Sequence, residues 1–125
     1  MAVAKGARAL VVDDNIDAAS MLGYVLEQYG FDVAVEHDSA GALTRTQTEL
    51  FDIFVLDIGL PDMDGHELAR RLLTKSECKN SLFVALTGYG TSKDKQKSRA
   101  AGFHHHFVKP ANLPALMNVL TSHRC

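Results

Sequence analysis

Five short apolar runs, each followed by a stretch of helical periodicity, constrain this chain more than any other feature. The runs are "ALVV" (9–12), "FDVAVE" (31–36), "IFVL" (53–56), "LFVAL" (82–86) and "HHFV" (105–108). "IFVL" is apolar at every position, the pattern of a central parallel strand covered on both faces. "FDVAVE" alternates, as a half-buried strand does. After the first run, Leu22, Val25, Leu26 and Tyr29 share one helical face counted from Ala18. Gly30 and Gly102 stand where helices stop. Ser39 is placed to cap a second helix through about Leu50, weakened by Gly41 and three threonines. Asp64 and Glu67 have capping-box spacing for a third helix running through Leu73, and Thr91 and Asp94 repeat it for a fourth. Asn112 caps a fifth, with Leu113, Leu116, Met117 and Leu120 on one face and Pro114 in the first turn. This alternation predicts five βα units: an α/β fold with a parallel sheet and helices on both faces.

The 125 residues suit one domain, residues 1–125, with a core of about 8–122. A hydrophobic content of 46% supports a packed core, and a net charge of −2 gives no reason to expect nucleic acid or an anionic membrane as partner. No apolar run approaches the ~20 residues that span a bilayer. Asp13 and Asp14 break the first run before it could serve as a leader. Cys78 and Cys125 lack metal or disulfide spacing, which fits free thiols in the cytoplasm.

In such sheets ligands bind beyond the carboxyl ends of the strands. There the first run ends in Asp13 and Asp14, the third in Asp57, the fourth in Thr87 and "GYG", and the fifth in Lys109-Pro110. Neighbouring strands lie ~4.8 Å apart, so three carboxylates would crowd one space if the first and third runs pair. Two charges ~4 Å apart repel by roughly 4 kcal/mol at an effective dielectric of 20. Such a cluster takes up protons or holds a cation, and hard oxygen ligands suit Mg²⁺. A lysine and a hydroxyl beside it suit a phosphate, and Asp57 is the nucleophile available for a covalent aspartyl-phosphate. No glycine-rich nucleotide loop is present, so the phosphoryl group is expected from a protein or a small donor.

These residues together resemble the receiver domain of two-component response regulators over nearly the full length. The resemblance rests on "DD" (13–14), "VLDIGLPDMDG" around Asp57, "ALTGYG" around Thr87 and "FVKP" at Lys109. It implies the flavodoxin-like (βα)5 fold with strand order 2-1-3-4-5. It implies Asp57 as phosphoacceptor, and Asp14, Asp57, Asp13 and the carbonyl of Gly59 as the Mg²⁺ site, with Mn²⁺ able to substitute. Thr87, Gly88 and Lys109 become the phosphoryl contacts, and the Lys109-Pro110 bond is expected to be cis. A histidine kinase or histidine phosphotransfer protein is implied as donor, and a downstream effector on the face of the fourth helix, fifth strand and fifth helix. The chain would catalyse its own modification, either alone or as part of a larger hybrid histidine kinase.

Three positions depart from the family pattern. His106 stands at the switch position, where the family carries Tyr or Phe, and it would partner Thr87 there. Gly59 and Tyr89 offer nothing to orient an attacking water, so the phosphoryl group is expected to be lost slowly. Two other readings compete. A phosphorylation-independent interaction module would not need the full set of acids, Thr87 and Lys109. A phosphatase of the haloacid dehalogenase type wants a second acid two residues after the nucleophile, where Gly59 stands. The histidines 104–106 cannot converge on one metal, because alternation sends the middle one to the opposite face.

Overall fold

Strands β1 (Arg8–Val12), β2 (Asp32–Glu36), β3 (Ile53–Asp57), β4 (Leu82–Thr87) and β5 (His105–Val108) pair in parallel in the order β2-β1-β3-β4-β5. Helices α1 (Ile16–Gln28), α2 (Ser39–Arg45), α3 (Gly65–Leu73), α4 (Ser92–Ala101) and α5 (Leu113–Thr121) connect or follow them. This is a computed structural model, and it describes residues 7–88 and 92–122. The expected order is therefore observed, with β3 at the centre, apolar from Ile53 to Leu56 and buried throughout, Asp57 included.

The pleat of the sheet divides the core in two. Leu10, Val12, Phe54, Leu56, Phe83 and Ala85 face α2, α3 and α4. Ala9, Val11, Ile53, Val55, Val84 and Leu86 face α1 and α5. On the first side Phe54 stacks on Phe83 with ring centroids 4.7 Å apart, and Phe103 meets Phe83 edge-on. Each buried aromatic or leucine of this kind contributes roughly 1.5–3 kcal/mol relative to exposure. Gly30 and Gly102 both adopt positive φ just past their helices, as a glycine stop requires.

Four local expectations are corrected. Asp38, not Ser39, caps α2, by accepting the N–H of Gly41. That helix ends at Arg45 instead of continuing to Leu50, and the Thr46 and Thr48 hydroxyls donate to carbonyls three residues back in the turn that follows. Tyr29 lies at the C-cap of α1, 49% exposed, so the buried face of that helix is Ala19, Leu22, Gly23 and Leu26. Leu113 opens α5 partly exposed, leaving Leu116, Met117 and Leu120 to pack. Asp64 and Asn112 cap α3 and α5 as expected. Thr91 lies outside the described residues, and with it the cap expected for α4.

Candidate functional site

The sheet order sets β1 beside β3, with Val12 opposite Leu56. The next residue of each chain is an acid, and Asp13 and Asp57 are both buried. Asp14 stays exposed, yet one carboxylate oxygen from each of Asp13, Asp14 and Asp57 lies within 4.8 Å of the others. Among the described residues this is the only group of three or more acidic, histidine or cysteine side chains close enough to share a metal ion.

Lys109 closes the site from β5. Its N–H donates to the Thr87 carbonyl at 2.7 Å, and the Lys109-Pro110 bond is cis. Its ammonium lies 2.9 Å from Asp13 Oδ2 and 3.2 Å from Asp57 Oδ2. The other Asp57 oxygen accepts the Gly59 N–H at 3.1 Å. Asp13 in turn accepts the Asn15 N–H, while Asn15 itself caps α1. The two acids of the "DD" pair are therefore not the helix cap. Thr87 is buried at the end of β4, and Gly88 follows it exposed. Tyr89 lies outside the described residues.

One ammonium thus serves two buried carboxylates. Burial raises the Asp57 pKa above the ordinary carboxylate range, and the Asp13 charge adds to it, against the Gly59 N–H and Lys109, which lower it. Burial alone would lower Lys109, but the Asp13 hydrogen bond and the charges of both acids leave it raised. The site is short of positive charge, and the side-chain ligand atoms it gathers are carboxylate oxygens. That donor set fits a hard divalent cation with room for water.

Gly65 locks α3 against this rim. Its N–H donates to the Ile58 carbonyl, and a Cβ there would stand 2.5 Å from the Asp57 carbonyl oxygen and 2.9 Å from Ile58 Cα. A second tie was not read from the sequence. Asp62 accepts the N–H groups of Ser39 and Ala40 at 3.1 and 3.0 Å, and the Ser39 hydroxyl donates to the Met63 carbonyl. The loop after β3 is therefore fastened to the first turn of α2. Its only sequence signal is an acid in "LPDMDG", which points to no particular partner. The Ser39 N–H holds the Asp62 pKa below the ordinary range, aided by Ala40. This tie stabilises the fold above that range and is lost as the pH falls through the lowered value. Asp62→Ala should cost about 1 kcal/mol in urea denaturation at neutral pH, as for a lost helix cap, and much less in acid.

His106 lies on β5 opposite Ala85, half-buried, with Nδ1 2.9 Å from the Ser98 hydroxyl of α4. His104 Nδ1 accepts the Phe83 N–H, and His105 is exposed. His105 pairs with Val84, which packs against the α1/α5 layer, whereas His106 pairs with Ala85 of the opposite layer. His105 and His106 therefore face opposite layers of the sheet.

Residues 9–121 match the family model described as "Response regulator receiver domain". The chain is 35% identical over 107 residues to the phosphate regulon transcriptional regulatory protein PhoB of Rhizobium meliloti, covering 86% of this chain and 47% of that one. It is 33% identical over 113 residues to the CAI-1 autoinducer sensor kinase/phosphatase CqsS of Vibrio cholerae, covering 89% of this chain and 16% of the relative. The chain thus spans less than half the length of either curated relative. The solved chemotaxis response regulator CheY4 of Vibrio cholerae superposes with a TM-score of 0.87 at 30% identity, over 93% of this chain and 97% of that one.

Proposed function

The chain belongs to the response regulator receiver domain family, and from that premise we propose that Asp57 accepts a phosphoryl group from a phosphohistidine in a Mg²⁺-dependent step. The observation that carries this reading is the buried Asp57 carboxylate sharing Lys109 with Asp13, with Asp14 in reach of both. Asp13, Asp14, Asp57 and the Gly59 carbonyl would hold the cation, which offsets the charge of the entering phosphoryl group.

The chain's own residues do the rest. Gly59 and Lys109 fix the two Asp57 oxygens, so the attacking atom is aimed before the donor arrives. An Asp57 oxygen forms the new O–P bond as the N–P bond of the phosphohistidine breaks, and the imidazole keeps the electron pair and then takes a proton. Lys109, Thr87 and the Gly88 N–H would hold the phosphoryl oxygens. Asp57 is only 5% exposed, so the donor must approach over the rim. Beside that rim lies an apolar groove of about 430 Å³ between α1 and the β5–α5 connection, lined by Ala18, Met21, Leu22, Pro110 and Leu113. The donor protein covers this groove in our reading.

The effector docks on α4, β5 and α5. Among the described residues Arg8, Arg45, Arg70, Arg71 and Lys109 are all ion-paired, but Lys93, Lys95, Lys97 and Arg99 of α4 are not. This favours an acidic surface on the effector. We place the whole of residues 1–125 in this one receiver unit, acting in the cytoplasm, where phosphohistidine donors would meet it.

Beryllofluoride added with Mg²⁺ should shift the amide resonances of Thr87, Gly88 and Lys109, and chelation should reverse the change. No response at saturating Mg²⁺ would overturn the reading and favour a phosphorylation-independent module. Position 59 has no side chain to steer water, so the phosphorylated protein should keep its label for tens of minutes. Complete loss within seconds in purified protein would contradict this.

A further inference from the structure

One hydroxyl holds three elements together on the α3–α4–β5 side. Ser98 of α4 is 1% exposed, and its Oγ lies 2.9 Å from His106 Nδ1 of β5 and 3.1 Å from His66 Nε2 of α3. It is one of only two buried residues on α4; the other is Ala101. A helix this polar has little apolar surface to anchor it, so a buried polar contact counts for more. The Phe103 ring covers His66 edge-on, with centroids 6.2 Å apart.

A serine hydroxyl has one proton to donate and can accept in return. With both imidazoles neutral, one donates to Oγ and the other accepts from it. With one imidazole charged, the cation donates to Oγ and the hydroxyl still donates to its neutral partner. With both charged, each ring presents an N–H, the hydroxyl proton has no acceptor between them, and two cations face one oxygen. Oγ has lone pairs enough to accept from both rings, so what opens the contact is the repulsion between the two cations, together with a hydroxyl proton left without a partner in the latch.

We propose that Ser98 is a positioning residue that latches α4 to β5 and α3 through His106 and His66, and that the latch holds while the two imidazoles share no more than one charge. The surroundings bear on when that limit is reached. The charges that act on His66 are those of Asp64, the cap of α3, of Arg70 on the same helix, of Lys97 of α4 and of His106 of β5. Asp94 lies one turn before Ser98 on α4, and Lys95, Arg99, His104 and His105 line the cleft that Ser98 and His106 share. Burial lowers the His66 pKa, with Arg70, Lys97 and His106 acting the same way against Asp64. His66 is therefore disposed to remain the neutral partner. Where the effector face of the preceding section holds, acidification becomes a second input to it; that consequence rests on the proposed function, while the latch does not.

The test uses the unphosphorylated chain, so its outcome is independent of any phosphoryl chemistry. The ring signals of His66 and His106 and the backbone amides of α4 are followed by NMR from pH 7.5 to 5. The α4 amides should move together with the second of the two ring protonations. His66→Gln, which keeps a polar side chain but cannot charge, should hold the α4 amides at their neutral positions to the acid end. Ser98→Ala should displace those amides already at pH 7.5 and uncouple them from the rings, and Ser98→Thr should restore the wild-type profile. Amides of α4 that stay still while both rings titrate, or a Ser98→Ala profile matching wild type, would overturn the proposal.

Discussion

Replacing Asp57 with asparagine should abolish phosphoryl labelling and, at neutral pH, raise the melting temperature by about 5 °C, near 1 kcal/mol for a domain of this size. The first effect follows from removing the nucleophile. The second follows from the electrostatics. Burial first, and the Asp13 charge after it, raise the folded-state pKa of Asp57. A carboxyl that holds its proton more tightly when folded opposes folding once ionised. The cost is absent below the ordinary aspartate range and complete once the pH has passed the raised folded value. Asparagine keeps the shape, leaves Lys109 paired with Asp13 and removes the repulsion. The gain should fade as the pH falls from the raised folded value toward ~4 and be gone below it, where Asp57 is protonated in the folded and unfolded chain alike. Mg²⁺ should narrow the gap between the two proteins. At tenfold over its dissociation constant a bound ion adds about 1.4 kcal/mol to wild type, and it should add less to the variant, which lacks one carboxylate. A variant that melts below wild type at pH 7 without Mg²⁺ would mean that the ionised Asp57 is compensated, and the site would not be short of positive charge.

Gly65→Ala should be the most damaging single methyl in the described chain near the site, costing about 3 kcal/mol and lowering the melting temperature by roughly 10–15 °C. The added carbon meets backbone, not a side chain that can swing aside: the Asp57 carbonyl oxygen at 2.5 Å and Ile58 Cα at 2.9 Å. Relief requires α3 to withdraw from the end of β3, which breaks the Gly65 N–H bond to Ile58 and moves the residue that carries the chemistry. Labelling of Asp57 should fall with stability, and more steeply. Gly59→Ala is the control. A Cβ there would lie 3.8 Å from Asp57 Oδ1, an ordinary contact, so its melting temperature should stay within about 2 °C of wild type. Equal melting temperatures for Gly65→Ala and wild type would refute the packing argument.

The parts of this molecule that could be read in advance are those encoded by neighbours in the chain. The wholly apolar "IFVL" becomes the central β3, and Asp64 and Asn112 cap helices whose N–H groups lie three residues on. The rim acids were legible because each ends a strand, and parallel strands deliver their ends to one edge. What stayed hidden depends on partners far apart. Asp62 is 22 and 23 residues from the amides it binds, and Ser98 is 32 residues from His66. No periodicity reports such contacts. Ser39 shows the same competition within a single turn. Two side chains able to cap stand side by side, and Asp38 takes the role because the Ser39 hydroxyl is drawn to Met63. Thr46 and Thr48 shorten α2 by bonding back to its carbonyls, a choice that composition flagged only as weakness.

The most direct measurement locates the phosphoryl group. The protein is incubated with acetyl phosphate and Mg²⁺, reduced with borohydride, which converts an aspartyl phosphate to homoserine, and digested for peptide mass mapping. Homoserine at position 57, absent after chelation of the metal and absent in Lys109→Ala or at a much lower level, is the predicted result. Reduction at Asp13 or Asp14, or an unmodified residue 57 in a sample that has bound Mg²⁺, would contradict the account.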